Sequence, residues 1–339
     1  MLQIVLEQPG KFNAVDAAEP VRQPGDALVR VHRIGVCGTD LHAFAGRQPF
    51  FSYPRVLGHE LGVEVIDPGD DPRGLKPGDR CSVEPYVNCG HCFACKSGKP
   101  NCCSNLKVLG VHADGGMRPL FALPARKLHR SARLNYDQLA LVETLGIGAH
   151  AVERSEVKSG DFVLVVGAGP IGLSVIQFVQ ARGAQLVVMD TSEPRLAFCR
   201  EKLGVKNAFS PLQVDPKTHL TELGNGNMPV VVFDATGNPK SMQASFELPV
   251  NGGRLVFVGL VQGELTFNDP SFHRRELTVM GSRNALPETF RSIISMIESG
   301  KIDTTPWITH RLELREVPKR FETIAQDKSL IKAMISVSE

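Results

Sequence analysis

The chain has 339 residues and a mass of 36.9 kDa, which at roughly 150 residues per domain predicts about two domains. Hydrophobic residues make up 42% and charged residues 22%, close to ordinary globular usage, so a disordered chain, a collagen and a coiled coil are all poor fits. Because the net charge is only +2, nothing in the composition calls for nucleic acid as a partner.

The N-terminus shows no basic region, long apolar core or small-residue cleavage site, so we do not expect a signal peptide. The uncharged stretch 162–181 matches a membrane span in length. However, Gly167, Gly169, Pro170 and Gly172 divide it into an apolar strand, a tight turn and a helix. We therefore expect a cytoplasmic protein with reduced thiols and no membrane contact.

The first part of the chain, residues 1–146, is predicted to be β-rich. Apolar and polar residues alternate over residues 27–34, which is the period of a half-buried strand. Shorter strand-like runs occur at residues 62–66 and 80–83, and turn sequences rich in Pro and Gly separate them. This pattern predicts a small antiparallel barrel or sandwich.

A first candidate metal site lies between these predicted strands. Cys37 is followed by Thr39 and His42, and His59 and Glu60 come just before the next strand. Thiolate, imidazole and carboxylate groups are the ligands that zinc prefers. One cysteine and one histidine are also common core residues, so the spacing alone leaves a metal site and an ordinary core as equal alternatives.

Five of the eight cysteines are concentrated in one segment, about residues 86–108, which we call the cysteine lobe. Four of them follow the pattern C-x2-C-x2-C-x7-C and are Cys89, Cys92, Cys95 and Cys103. Thiolates at this spacing in a reduced compartment predict a structural zinc site. An iron–sulfur cluster is the alternative, although the spacing with which ferredoxin motifs continue is absent. Because Cys102 adjoins Cys103, either residue could be the fourth ligand.

The pattern changes near residue 160. The apolar run 162–166 is typical of a strand that is buried on both faces of a parallel sheet. Further elements are predicted as helices at 171–182, 195–203 and 287–299 and as strands at 186–189, 230–233, 254–258 and 277–280. Strands that alternate with helices indicate a doubly wound α/β domain.

A glycine motif of the form G-x-G-x-x-G lies between the first of these strands and the first helix. Its residues are Gly167, Gly169, Pro170, Ile171 and Gly172. In this context the motif predicts a dinucleotide site, because it permits a tight turn and brings a pyrophosphate to a helix N-terminus. Asp190, at the end of the next strand, is expected to accept hydrogen bonds from the adenosine ribose and to repel a 2′-phosphate, which favours NAD over NADP. Arg195 is expected to flank the adenine or the ribose.

In their order along the chain, Cys37, His59–Glu60, the cysteine lobe and the glycine motif resemble the zinc-dependent medium-chain alcohol and polyol dehydrogenases. The resemblance extends over nearly the whole chain. It implies a Rossmann domain at 147–281 inserted into a GroES-like catalytic domain formed by residues 1–146 plus 282–339. It also implies two zinc ions per chain, NAD as the cofactor, a small-molecule substrate, and a homodimer or homotetramer.

The resemblance also implies the ligands of a catalytic zinc. Cys37 and His59 match two of them, and Glu143 occupies the position of the third, where other alcohol dehydrogenases have a cysteine. That departure is similar to the sorbitol and threonine dehydrogenase branch. A buried carboxylate, or one at a helix N-terminus, is the alternative interpretation of Glu143. Glu60 matches a glutamate that sits beside the metal and can bind it transiently.

The same resemblance implies roles for three more residues. Thr39 matches the group that accepts the alcohol proton, and His42 the histidine that passes it to solvent, although a plain surface histidine is the alternative. Arg283 lies where polyol dehydrogenases place an arginine that contacts substrate oxygens, and it could pair with a carboxylate.

The implied reaction is the oxidation of a secondary alcohol of a polyol, sugar or sugar acid such as an aldonate. The alternatives are a threonine-type amino-alcohol dehydrogenase and a non-catalytic zinc-binding relative. A zinc-free quinone reductase would lack both metal sets.

One basic run contains no acidic residue and consists of Arg118, Arg126, Lys127, Arg130 and Arg133. Because prolines and strand-like apolar residues interrupt it and the total charge is balanced, we predict a solvated face rather than a nucleic-acid surface.

Overall fold

The structure is a computed structural model that describes residues 1–49, 51–71 and 73–337. The chain divides into two compact units, one formed by Met1–Thr144 with Ala285–Glu339 and the other by Leu145–Asn284. Each unit has its own hydrophobic core. Within the described ranges, no helix combines the length and the apolar character needed to cross a membrane.

The strands and helices alternate irregularly in the first unit and regularly in the second. The strands are β1 (Leu2–Gln8), β2 (Lys11–Asp16), β3 (Asp26–Gly35), β4 (Glu60–Asp67), β5 (Arg80–Val83), β6 (Tyr86–Val87), β7 (Lys107–Val108), β8 (Leu120–Pro124), β9 (Leu128–Arg130), β10 (Phe162–Val166), β11 (Gln185–Met189), β12 (Asn207–Phe209), β13 (Val231–Asp234), β14 (Arg254–Phe257), β15 (Thr278–Gly281), β16 (Ile308–Glu313) and β17 (Lys332–Ser336). The helices are α1 (Gly38–Phe44), α2 (Phe93–Lys96), α3 (Tyr136–Ser155), α4 (Pro170–Ala181), α5 (Glu193–Leu203), α6 (Pro216–Leu223), α7 (Pro239–Ala244), α8 (Asp269–Arg274), α9 (Pro287–Glu298) and α10 (Val317–Gln326).

The main sheet of the first unit has the strand order β16-β17-β3-β4-β5-β9, and β8 also pairs with β3. The alternation predicted over residues 27–34 is confirmed at Ala27, Val29 and Val31, whose side chains are buried. The register then shifts between Val31 and Arg33, and this irregularity returns Ile34 to the core. The N-terminal unit is therefore β-rich, as the pattern predicts.

Three strand ends meet at one place in this sheet. Gly35, the last residue of β3, pairs with Glu60, the first residue of β4, and also with Met334 of β17. The residues that follow β3, open β4 and open β17 are therefore neighbours. This convergence brings Cys37, Glu60 and Lys332 close together although they are far apart in sequence.

The second unit contains a parallel sheet with the order β12-β11-β10-β13-β14-β15. Strand β10 is buried along its whole length, as predicted for a strand covered on both faces. The predicted doubly wound α/β domain is confirmed. The predicted helices and strands of this domain agree with the observed ones to within about two residues, the usual uncertainty of element ends.

The long helix α3 departs from the sequence pattern, which predicts a β-rich first part up to residue 146. Residues 139–146 are buried without interruption, so the helix presents no polar stripe in this stretch. A helix that is covered on all sides lacks the amphipathic period that would identify it. This helix carries Glu143 in its interior.

Candidate functional site

The first candidate metal site consists of Cys37, His59 and Glu60, whose ligand atoms all lie within 4.8 Å of one another. His59 and Glu60 are buried, and Cys37 is half-buried at the start of α1. A single zinc ion with bonds of about 2.0–2.3 Å could bind these sulfur, nitrogen and oxygen atoms after small movements. The donor set therefore fits a zinc ion.

Asp40 supports two members of this cluster. Its Oδ2 accepts a hydrogen bond of 2.9 Å from the backbone amide of Cys37, and its Oδ1 lies 3.7 Å from Nδ1 of His59. Both the Asp40 carboxylate and the His59 ring are buried. The two atoms are too far apart for a hydrogen bond, but a carboxylate beside Nδ1 favours a proton on that nitrogen, which leaves Nε2 for a metal. The sequence pattern did not single out Asp40.

The carboxylate of Glu60 is held by a buried ammonium group. Nζ of Lys332 lies 2.7 and 2.8 Å from the two carboxylate oxygens, 3.1 Å from the carbonyl oxygen of Val36 and 3.2 Å from Oγ1 of Thr144. Although burial raises the pKa of Glu60, the Lys332 charge outweighs it and holds the pKa below its ordinary value. A Cβ at Gly35 would lie 2.0 Å from Oε2 of Glu60, so only glycine leaves room for this carboxylate.

Glu143 lies in the interior of α3 and is buried, so its interpretation as a helix N-terminal carboxylate is wrong. The hydroxyl of Tyr86 donates a hydrogen bond to its Oε1. Burial raises the pKa of Glu143, and the charge of His59 opposes that effect. Among the described residues, Glu143 is not part of the cluster whose donor atoms lie within 4.8 Å of one another.

Thr39 and His42 both lie on α1, the helix that begins directly after Cys37. Residues three apart share a face of a helix. Thr39 is half-buried and His42 is exposed. Partial burial and the nearby charge of Arg47 lower the pKa of His42, so its ring is a neutral proton acceptor around neutral pH. One face of α1 thus extends from the metal cluster towards solvent.

The second candidate metal site is in the cysteine lobe, where the ligand atoms of Cys89, Cys92, Cys95 and Cys103 lie within 4.8 Å of one another. Cys103, and not the exposed Cys102, completes the set. Hydrogen bonding from the Cys95 backbone lowers the pKa of the Cys92 thiol to about 5, which favours the thiolate that a metal requires. Four sulfurs converging on one point fit a single zinc ion.

The basic run is not one solvated face. Lys127 is buried and forms an ion pair with the buried carboxylate of Glu84, so the prediction is wrong for this residue. Arg126, Arg130 and Arg133 are exposed as predicted. A buried lysine is tolerated here because Glu84 compensates its charge.

The dinucleotide turn of the second unit depends on two glycines. Gly167 has a φ of +93°, and a Cβ there would lie 2.9 Å from Cγ2 of Thr236. A Cβ at Gly172 would lie 1.7 Å from the carbonyl oxygen of Gly167, so helix α4 can follow β10 this closely only with glycine. At Gly169 the nearest atom to a Cβ would be Nη1 of Arg195 at 3.7 Å, which leaves space for a ligand.

Asp190 follows β11 and is buried. Its two carboxylate oxygens accept hydrogen bonds from the backbone amides of Ala168 at 2.6 Å and Ser192 at 2.7 Å. The first of these amides belongs to the glycine motif, and Pro170 and Ile171 of the same motif form the first turn of α4. The structure therefore joins the acidic residue to the motif, and Nη1 of Arg195 lies near Gly169. Arg283 is an exposed residue of this unit, just after β15.

Sequence comparisons match both units to known families. Residues 170–299 match the zinc-binding dehydrogenase family, and residues 23–133 match the alcohol dehydrogenase GroES-like domain. The chain is 40% identical over 334 residues to L-galactonate-5-dehydrogenase of Escherichia coli K12, with 98% of each chain covered. It is 32% identical over 322 residues to L-threonine 3-dehydrogenase of Pyrococcus horikoshii, with 92% of this chain and 91% of the relative covered.

Solved structures agree with these matches. The alcohol dehydrogenase RspB from E. coli CFT073, in complex with NADH, superimposes with a TM-score of 0.92 at 29% identity and covers 99% of both chains. A zinc-binding dehydrogenase from Sinorhizobium meliloti 1021, bound to NADP, gives a TM-score of 0.91 at 28% identity over 99% of this chain and 98% of that chain. The fold is thus shared with these two dehydrogenases.

Proposed function

Because the chain belongs to the zinc-type alcohol dehydrogenase family, whose members use zinc and a nicotinamide dinucleotide, we propose that it oxidises a secondary alcohol of a sugar acid and reduces NAD. The observation that carries the substrate class is the full-length similarity to L-galactonate-5-dehydrogenase. A polyol or a neutral sugar is the broader form of the same proposal.

We assign the catalytic zinc to Cys37, His59 and Glu143. Glu60 belongs to the compact cluster, but both of its oxygens face the ammonium of Lys332 at 2.7 and 2.8 Å. A carboxylate engaged in this way is a poorer ligand than one that is bound through a single oxygen. The hydrogen bond from Tyr86 to Oε1 of Glu143 leaves the second oxygen of Glu143 as the ligand atom, which supports the assignment. Glu60 can then act beside the metal as a transient ligand.

When bound, zinc supplies a Lewis acid that lowers the pKa of an alcohol, and the dinucleotide supplies the hydride acceptor. Cys37, His59 and Glu143 would hold the ion, and the Asp40 carboxylate, 3.7 Å from Nδ1 of His59, would favour a proton on that nitrogen. The hydroxyl of Thr39 accepts the substrate proton and passes it towards His42, which is exposed and can release it to water.

We propose NAD rather than NADP as the physiological cofactor. Asp190 accepts hydrogen bonds from two backbone amides, one of them in the glycine motif, and this supports assigning its carboxylate to the ribose hydroxyls, where it would repel a 2′-phosphate. Arg195, close to Gly169, is the residue that could instead favour NADP, the cofactor bound by the neighbour from S. meliloti. We assign Arg195 to the adenine or ribose and the glycine motif to the pyrophosphate.

For the substrate we propose that Arg283 pairs with the carboxylate of a sugar acid, since a guanidinium can bind a carboxylate through two hydrogen bonds. Oxidation of an amino-alcohol such as threonine is the second candidate, favoured by the similarity to L-threonine 3-dehydrogenase. The four-cysteine site would hold a second, structural zinc. We also propose that the protein works in a reducing cytoplasm as a homodimer or homotetramer. We propose neither nucleic acid nor a membrane as a partner.

The proposal is tested by following NADH formation with purified protein over a panel of aldonates, polyols, sugars and threonine, together with the zinc content per chain. We expect the highest kcat/KM with an aldonate and about two zinc ions per chain. Activity with threonine alone, or with none of these compounds, would overturn the substrate class.

Two matched cysteine variants test the metal assignment. Cys37→Ser is expected to lose one zinc ion and its turnover while the cysteine lobe keeps its own ion. Cys102→Ser, which changes an exposed thiol that is outside the cluster, should retain both ions and full activity. Full activity of the Cys37→Ser variant with only the lobe ion bound would refute the catalytic site.

A further inference from the structure

We propose that Tyr86 is a positioning residue, which holds the Glu143 carboxylate by one oxygen and so presents the other oxygen to the metal. This inference rests on the proposed function, because it assumes that Glu143 is a ligand. Neither the motifs in the sequence nor the similarity to known dehydrogenases singled out Tyr86.

The contact between the two side chains is fully enclosed. Tyr86 is 3% exposed and Glu143 is 4% exposed, and the phenolic hydroxyl donates to Oε1 of the carboxylate. A phenolic hydroxyl is protonated around neutral pH, so against a carboxylate oxygen it acts as the donor. A buried carboxylate needs such a donor, since water does not reach it.

The strand that carries Tyr86 is fixed on both sides. In β6, Tyr86 pairs with Val108 of β7, which returns from the cysteine lobe. Two residues earlier, the buried carboxylate of Glu84 forms an ion pair with Lys127 and lies 3.0 Å from Nε2 of His129. The backbone on the N-terminal side of Tyr86 therefore has little freedom to move.

The far end of the same segment contacts one of the four clustered cysteines. Nδ2 of Asn88 lies 3.5 Å from Sγ of Cys95, and Arg126 donates to the Asn88 side chain at 2.7 Å and to its backbone carbonyl at 2.9 Å. A structural ion in the lobe would stabilise the segment from Tyr86 to Asn88. A metal ion in the lobe would therefore also restrict the movement of Tyr86, the residue that orients Glu143.

The ring of Tyr86, like its backbone, is held by neighbouring residues. It meets the edge of the buried Phe290 ring at a centroid distance of 6.2 Å, and His129 stacks on the same ring at 5.0 Å. A tyrosine has only two side-chain torsions, so these contacts leave the hydroxyl with one direction. The two oxygens of Glu143 are consequently inequivalent before any ion binds.

The test compares Tyr86→Phe with Tyr136→Phe. Tyr136 is the matched control because its hydroxyl also donates to a carboxylate of the same unit, Oε2 of Glu64, at 3.1 Å. Both variants are loaded with cobalt in place of zinc, and cobalt affinity is measured by chelator competition. The visible spectrum reports the coordination of each site separately, because four thiolates give a charge-transfer pattern different from that of one.

For Tyr86→Phe we expect the affinity of the Cys37 site to fall about 10- to 100-fold, with altered ligand-field bands, as for other residues that orient metal ligands. The lobe should keep its thiolate spectrum, which shows that the variant is folded. Tyr136→Phe should leave both the affinity and the spectrum unchanged. Wild-type affinity and ligand-field bands in Tyr86→Phe would overturn the proposal.

Glu143→Gln and the double variant with Tyr86→Phe separate this inference from the proposed function. If Glu143→Gln keeps wild-type metal affinity, the ligand assignment fails and the role of Tyr86 fails with it. If Glu143→Gln weakens binding and Tyr86→Phe does not, only the positioning role is refuted. In the double variant, we expect the loss due to Tyr86→Phe to disappear, and a loss of the same size in both backgrounds would show that Tyr86 does not act through Glu143.

Discussion

Replacing Lys332 by Met should destabilise the first unit strongly. The ammonium of Lys332 lies 2.7 Å from Oε1 of Glu60, and both side chains are buried. At that distance and an effective dielectric constant near 20, the attraction is about 6 kcal/mol. The desolvation of two buried ions offsets most of it, so the pair as a whole contributes little to stability.

Breaking the pair from one side is different, because the desolvated carboxylate of Glu60 then has no counter-charge. We expect Lys332→Met to lower the free energy of unfolding by about 3–5 kcal/mol. For a unit of roughly 200 residues, each kcal/mol lowers Tm by about 2–4 °C, so the thermal transition of this unit should shift by about 6–20 °C. The double variant Lys332→Met/Glu60→Gln removes both charges and should recover at least half of the loss.

Differential scanning calorimetry follows this transition, with zinc-loaded protein and again after chelation. Both conditions are needed because a released Glu60 carboxylate could be compensated by the ion. Lys301→Met, which changes an exposed lysine of the same unit, is the control and should stay within about 0.5 kcal/mol of the parent. A loss below about 1 kcal/mol in Lys332→Met, or no recovery in the double variant, would refute the reasoning, since the penalty for an isolated buried carboxylate exceeds that value.

Three further outcomes are expected. Gly172→Ala should prevent the second unit from folding, because its Cβ would lie 1.7 Å from a carbonyl oxygen. Gly169→Ala should give a normal circular dichroism spectrum and should bind NADH more weakly in a fluorescence titration. Asp190→Ala should reduce the ratio of kcat/KM for NAD to that for NADP by about 10- to 100-fold, because this fold-change corresponds to the free energy of a hydrogen bond to a charged group. An unchanged ratio would contradict the assigned role of Asp190. Lys127→Met should lower the free energy of unfolding by about 3 kcal/mol in urea, because the buried carboxylate of Glu84 loses its ammonium partner and keeps only the His129 ring. An effect as small as that of an exposed lysine would contradict the ion pair.

The sequence by itself determined the features whose parts lie close together along the chain. Cys89, Cys92 and Cys95 need only a short loop to converge, so their spacing predicts a metal site without knowledge of the fold. The glycine motif is similar, because the steric demands at Gly167 and Gly172 arise from neighbouring backbone. Strand periodicity and apolar runs likewise predicted the β-rich first unit and the doubly wound second unit.

Only the tertiary structure decided what surrounds the candidate catalytic metal. Lys332 meets Glu60 across 272 residues and Tyr86 meets Glu143 across 57, so no local pattern could pair them. The interior position of Glu143 in α3 was also hidden, since a helix covered on all sides has no polar stripe. Ligand types can be read from sequence because they are chemical identities. Which carboxylate is held by an ammonium and which by a phenol depends on strand pairing and burial, and these exist only in the folded chain.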